Sequence, residues 1–221
     1  MSGLGLVSGR FRLLLLALFL AFGGTAVASG TRAERLVNAM LLALVLVAAV
    51  LDLREREHRW RFAGLAAGII LLSGVDLNVR VPYLAALVDV MMVVFAGLVV
   101  WRAYTVVMRR QRPVADRIVG AICVYVLLGL AWAKTYEALD GVAPGSFRFP
   151  ADTAWAAPGL LRYIYFSFVT LATVGYGDVG PVTALAGTLA WMEAITGQLY
   201  LAVTVARLVA LSIADSSTSR V

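Results

Sequence analysis

From Leu160 to Ala172 the chain is largely apolar, and from Val182 to Leu211 it is apolar for longer. Between the two runs it reads Thr173-Val174-Gly175-Tyr176-Gly177-Asp178. Two glycines so close together break any regular helix or strand at that point. Irregular backbone at membrane depth is tolerated only where protein buries it or where it lines a wet cavity. The flanking segments therefore have to enclose this loop, and the rest of the chain has to be arranged around it.

Composition decides that the depth in question is a bilayer. Of 221 residues 62% are hydrophobic and 14% charged, with a mean hydropathy of +0.89. That excludes an ordinary soluble domain and predicts an all-α polytopic membrane protein. Six transmembrane helices are expected, at 11–29, 36–51, 60–75, 83–101, 117–139 and 182–211, with a re-entrant helix and loop between the fifth and sixth. The second and third are short for a crossing, which takes about 17–25 residues. Snorkelling Arg35, Arg54 and Arg61 would extend them, and a re-entrant or amphipathic segment is the competing reading. Ala26-Val27-Ala28 imitates a signal-peptidase site, but the apolar stretch before it is longer than a usual signal core, so a retained helix is expected.

Arginine sets the orientation, Lys134 being the one lysine among 19 basic residues. With the N-terminus inside, cytoplasmic segments hold Arg10, Arg12, Arg54, Arg56, Arg59 and Arg61. They continue with Arg102, Arg109, Arg110, Arg112 and Arg117, and end with Arg207 and Arg220. Fewer lie outside: Arg32, Arg35, Arg80, Lys134, Arg148 and Arg162. Both termini are then cytoplasmic and the loop faces out. The net charge of +6 reads as loop charge against anionic membrane lipid and not as a nucleic-acid patch. Cys123 is alone in an apolar run and His58 is alone in a charged loop, so neither a disulfide nor a zinc-type site is expected.

Arg109-Arg110-Gln111-Arg112-Pro113 breaks the apolar pattern. It divides a four-helix accessory module, 1–112, from a module of two helices and the loop, 113–221. Leu139 to Ala157, with Pro144 and Pro150, reads as an irregular extracellular turret. Pro158 suits the first turn of a short helix over 159–171.

To take a monovalent cation from water, a passage must replace hydration oxygens with fixed ones. Backbone carbonyls of Val174, Gly175 and Tyr176, with the Thr173 carbonyl and hydroxyl, can form that ladder if the backbone alternates between left- and right-handed dihedrals. Gly175 and Gly177 permit this. Thr-Val-Gly-Tyr-Gly is already known as the filter loop of potassium channels, so the match is one of recognition. Residues 163–178 as a whole resemble the pore helix and filter of that family. Glu193 to Tyr200 resemble the inner helix of its small prokaryotic members.

The resemblance implies a potassium-selective filter with K+ as the permeant ion, and no enzyme. One filter copy per chain implies a homotetramer with cyclic symmetry in a prokaryotic plasma membrane. Tyr165 stands where relatives have a tryptophan bonded to the aspartate after the filter, so its hydroxyl is expected to reach Asp178. Phe166 replaces a common Trp donor, leaving Thr170 as a partner for the Tyr176 hydroxyl of a neighbouring subunit. Ala172 departs from the usual Thr-Thr pair, which puts blocker binding in doubt. Val169 replaces the glutamate that some members couple to the outer aspartate.

Gly197 follows Gly177 at the offset of a gating-hinge glycine in several relatives, close helix packing being its other use. If Gln198 faces the cavity, Leu201, Val205 and Val209 share its face at helical spacing and can form an apolar constriction. Glu193 lies about 140° away around the helix. It therefore faces the scaffold as filter support, hydrogen-bonded or protonated. Asp89 is expected to find a partner on another helix. A potassium transporter subunit and a nonconducting accessory subunit are the rival readings. Transporter chains usually carry several degenerate pore loops, and an accessory subunit would more plausibly have lost Thr173 or a glycine.

Overall fold

The computed structural model describes residues 82–107, 114–156 and 159–218, with a few positions before 82. The spans expected at 11–29, 36–51 and 60–75 fall almost wholly outside the described residues. So do His58, Pro158 and the module boundary at 112–113.

The described chain is mostly helical. α1 is Pro82–Val107, α2 Val114–Val142, α3 Leu160–Leu171 and α4 Ala184–Thr218. Among the described residues three stretches are long and apolar enough to cross a membrane: Leu87–Thr105, Arg117–Val142 and Ala184–Ile213. α3 has only 12 residues, well short of the roughly 17–25 a crossing takes.

Three helices outrun their expected ends, α4 running on from Leu211 to Thr218. α1 continues from Trp101 to Val107, because Arg102 marks a change in surroundings without weakening the helix. Thr105 Oγ1 donates back to the Arg102 carbonyl at 2.8 Å. α2 continues past Leu139 to Val142, because Asp140 is held on both sides. Its Oδ1 accepts the Ser146 N–H at 2.9 Å, and its Oδ2 accepts the Tyr163 hydroxyl at 2.6 Å and Arg162 Nη2 at 3.3 Å. The turret is therefore partly regular. β1 (Phe147–Arg148) pairs antiparallel with β2 (Gly180–Pro181), and the Val182 N–H donates to the Ser146 carbonyl at 2.8 Å. Backbone pairing between segments this short and this far apart has no periodic signature.

Lipid is as apolar as leucine, so helices in it are held together by close packing and hydrogen bonds. α1 lies along α2 and buries Val88, Met92, Phe95 and Val99, a stripe at three- and four-residue spacing. α2 packs in turn on α3 and α4. A Cβ on Gly129 of α2 would come within 2.6 Å of the Phe168 ring, so a larger residue there would make that ring move. Tyr136, Phe147 and Phe166 meet edge to face at 5.1–5.4 Å between centroids, each such pair contributing about 0.5–1.5 kcal/mol beyond area burial.

Asp89 finds its partner on α2. Lys134 Nζ donates to Asp89 Oδ1 at 3.5 Å and to Glu137 Oε2 one turn on. Lys134, counted with the outside charges although it falls in the span expected at 117–139, is thus a buried charge tied to a second helix. Spacing along one helix cannot reveal an ion pair made between two.

Candidate functional site

α3 and α4 converge beneath the Thr173–Asp178 loop. Gly159 caps the N-terminus of α3 with φ 141°, and Ala172 closes the other end with its N–H on the Phe168 carbonyl at 3.1 Å. The chain then turns without leaving the helix end. The Thr173 N–H donates to Thr170 O at 2.9 Å and the Val174 N–H to Val169 O at 2.9 Å. The Gly175 N–H reaches the same Val169 carbonyl at 3.4 Å. The N–H groups at the base of the loop are therefore satisfied from behind, which leaves the loop's own carbonyls available to a ligand.

The backbone alternates. Thr173 has φ 55°, Gly175 φ 59° and Gly177 φ 78°, while Val174 and Tyr176 between them stay at negative φ. Gly175 and Gly177 take the left-handed region freely, whereas Thr173 does so at a cost of about 1–3 kcal/mol. Surrounding contacts hold it: Thr173 Oγ1 donates to the Ala172 carbonyl at 2.7 Å and accepts from Gln198 Nε2 of α4 at 3.2 Å. Residues 172–177 are exposed in the single chain, Val174 by 50% and Tyr176 by 71%.

Behind the loop stands a layer of aromatics and acids. The Tyr165 hydroxyl donates to Asp178 Oδ2 at 2.6 Å, and Asp178 Oδ1 accepts the Val179 N–H at 2.9 Å. The Trp155 ring stacks flat on Tyr165 at 4.0 Å. The Tyr165 bond, foremost, holds the Asp178 carboxyl below its usual range. Its stabilisation is complete above the unfolded range of an aspartate and is lost as pH falls through the depressed folded value. In Tyr165→Phe this acid loosening should therefore begin at higher pH, read as thermal stability against pH beside the parent. Superimposable profiles would mean that the bond contributes nothing.

Thr170 is half-buried on α3. On α4, Glu193 is fully buried, while Gln198, Leu201, Val205 and Val209 are exposed. Gly197 is packed hard on the end of α3: a Cβ there would run into the Leu171 carbonyl oxygen. α4 passes through Gly197 as unbroken helix.

The residues that hold Glu193, namely Tyr136 and Ser167, carry no signal of that role in the sequence. Nor do Trp155, Asp140 and Gly129 of theirs. A buried acid demands partners, but no spacing rule joins positions so far apart. Among the described residues no group of His, Cys, Asp and Glu is arranged to hold a metal ion.

Comparison with known proteins bears on the same segment. Residues 120–213 match a family described as "Ion channel", a region that takes in most of α2, all of α3, the loop and most of α4. The chain is 35% identical over 77 residues to the inward rectifier potassium channel Kirbac3.1 of Paramagnetospirillum magnetotacticum. The likeness covers 35% of this chain and 22% of that protein. No solved structure gives a significant match.

Proposed function

From the match of residues 120–213 to an ion channel family and the likeness of a shorter stretch to a potassium channel, we propose that the chain forms a potassium-selective channel, passive and assembled as a homotetramer. The observation that carries this reading is the dihedral alternation at Thr173, Gly175 and Gly177, with the loop N–H groups turned back on α3. Carbonyls of Thr173, Val174, Gly175 and Tyr176 from four chains replace the hydration shell of K+. Gly177, Asp178, Tyr165, Thr170 and Glu193 support that ladder. The C-terminal ends of four α3 helices direct partial negative charge at the cavity beneath it.

α4 lines the cavity through Gln198 and closes it through Leu201, Val205 and Val209. At 35 residues it is about 52 Å long, against a hydrocarbon core of roughly 30 Å. It therefore tilts or projects into the cytoplasm. Trp191, Met192, Ile195 and Leu199, bare in the single chain, are covered by neighbouring copies and lipid. In this reading residues 1–112 are the accessory module and 113–221 the pore module. Six spans cross a prokaryotic plasma membrane with both termini inside, and α3 with its loop is re-entrant. Purified protein in potassium-loaded liposomes should take up rubidium, driven by the outward potassium gradient, and be blocked by barium. Uptake indistinguishable from empty liposomes would defeat the proposal.

Voltage dependence should be weak. Between Pro82 and Trp101 α1 contains no basic residue, and its one acid, Asp89, is paired with Lys134. Each charge carried across the full potential supplies about 2.3 kcal/mol per 100 mV, and steep gating takes about 3–4 of them per subunit. Planar-bilayer recordings over roughly −100 to +100 mV should show open probability changing little. Steep sigmoidal activation that persists without divalent ions would contradict this.

A further inference from the structure

Glu193 is fully buried on α4; two short oxygen–oxygen contacts meet at it, and a third continues from its partner Ser167. The Tyr136 hydroxyl is 2.5 Å from Oε2, and Ser167 Oγ is 2.5 Å from Oε1. The same Ser167 Oγ is 2.7 Å from the Gly129 carbonyl oxygen. Oxygens this close have a hydrogen between them. Counting hydrogens then decides the state of the acid. A carbonyl brings none, Tyr136 brings one for its own contact, and Ser167 brings a single hydrogen to two contacts. An ionised carboxylate is an acceptor only and would leave one of the three contacts without a hydrogen.

We infer that Glu193 is a neutral acid whose own proton sits on Oε1 and closes a run of donors from Tyr136 to Glu193 to Ser167 to the Gly129 carbonyl. That run clasps α3 between α2 and α4, directly behind the loop. Every group in it is satisfied: Tyr136 donates to Oε2, Oε1–H donates to Ser167, and Ser167 donates to Gly129. The surroundings agree. Lys134 is engaged by Asp89 and Glu137, and Arg162 by Asp140. From α2 the titratable groups that face it are Tyr136 and, farther off, Tyr125. From α3 it meets Ser167. A carboxyl in such a place is held without charge more readily than with one. Glu193 is thus a positioning residue: it touches no conducted ion and acts through Ser167 on the element that carries the loop.

Glutamine reproduces the neutral acid, offering an N–H to Ser167 and a carbonyl to Tyr136, whereas alanine offers neither. The test takes the full chain in lipid at neutral pH. Infrared difference spectra of parent minus Glu193→Gln should show the carbonyl band of a protonated carboxylic acid, shifted in deuterium oxide. The band should move to higher frequency in Ser167→Ala, where its bond is lost. Glu193→Gln should keep the parent's melting temperature and Glu193→Ala should lose several degrees. A carboxylate pair of bands in place of the acid band overturns the inference. So does a Glu193→Gln protein as unstable as Glu193→Ala, or unable to fold. The inference rests on the proposed function only for the meaning of the clasp. A chain that carried no potassium would leave the spectra standing, so the two failures are distinguishable.

Discussion

Gly197→Ala is expected to lower thermal stability and to abolish most ion flux, although alanine is the better helix former by about 1 kcal/mol. The reason is the carbonyl of Leu171, into which the added Cβ would run, with Leu171 Cδ1 a further 3.0 Å contact. Leu171 ends α3, and the adjoining Val169 and Thr170 carbonyls hold the N–H groups of the loop. Relief of the clash therefore has to displace either α4 or the base of the loop. Overpacking of this kind costs about 1–3 kcal/mol, and in a tetramer it recurs in every copy. A hinge role for Gly197 gives a different pattern, because alanine would stiffen the helix and leave the melting temperature unchanged or higher. Melting curves in detergent, run beside liposome flux, separate the two. Unaltered stability with altered open probability would favour the hinge.

Tyr176→Asp should remove discrimination between potassium and sodium while leaving assembly intact. The Tyr176 ring is exposed in the single chain, so its removal takes little from the fold of one copy. In the proposed tetramer it braces the ladder against a neighbour. With an aspartate there the upper carbonyls lose their fixed spacing, and a hydrated sodium ion passes as readily as potassium. The preference should fall at least about tenfold, a change of roughly 1.4 kcal/mol in discrimination. Size-exclusion chromatography should give the parent's elution volume. A fully selective Tyr176→Asp channel would show that this loop is not the filter.

Much of this arrangement is legible in the sequence because it is local. Apolar runs of spanning length, the glycine pair at 175 and 177, and the opposed faces of Glu193 and Gln198 all follow from periods along a single segment. What stays hidden depends on contacts between segments. Lys134 counts simply as an outside charge because nothing near it in sequence reveals Asp89 one helix away. The turret reads as irregular because its order comes from Asp140 and from a strand pair closed by Gly180 and Pro181. The left-handed Thr173 has no signature either, since a β-branched residue is an unexpected occupant of that region. It is held there by neighbours, including Gln198. Gly197 illustrates the limit, because its spacing suits a hinge and its surroundings suit a close contact.

The carbonyls of Thr173 to Tyr176 are held here to select potassium, and on that selection the rest of the account depends. The most direct measurement is the reversal potential of reconstituted channels with potassium on one side of the bilayer and sodium on the other. The proposed ladder predicts a reversal potential displaced far toward the potassium equilibrium value, with rubidium able to replace potassium. A reversal potential near zero, with comparable sodium and potassium currents, would contradict it.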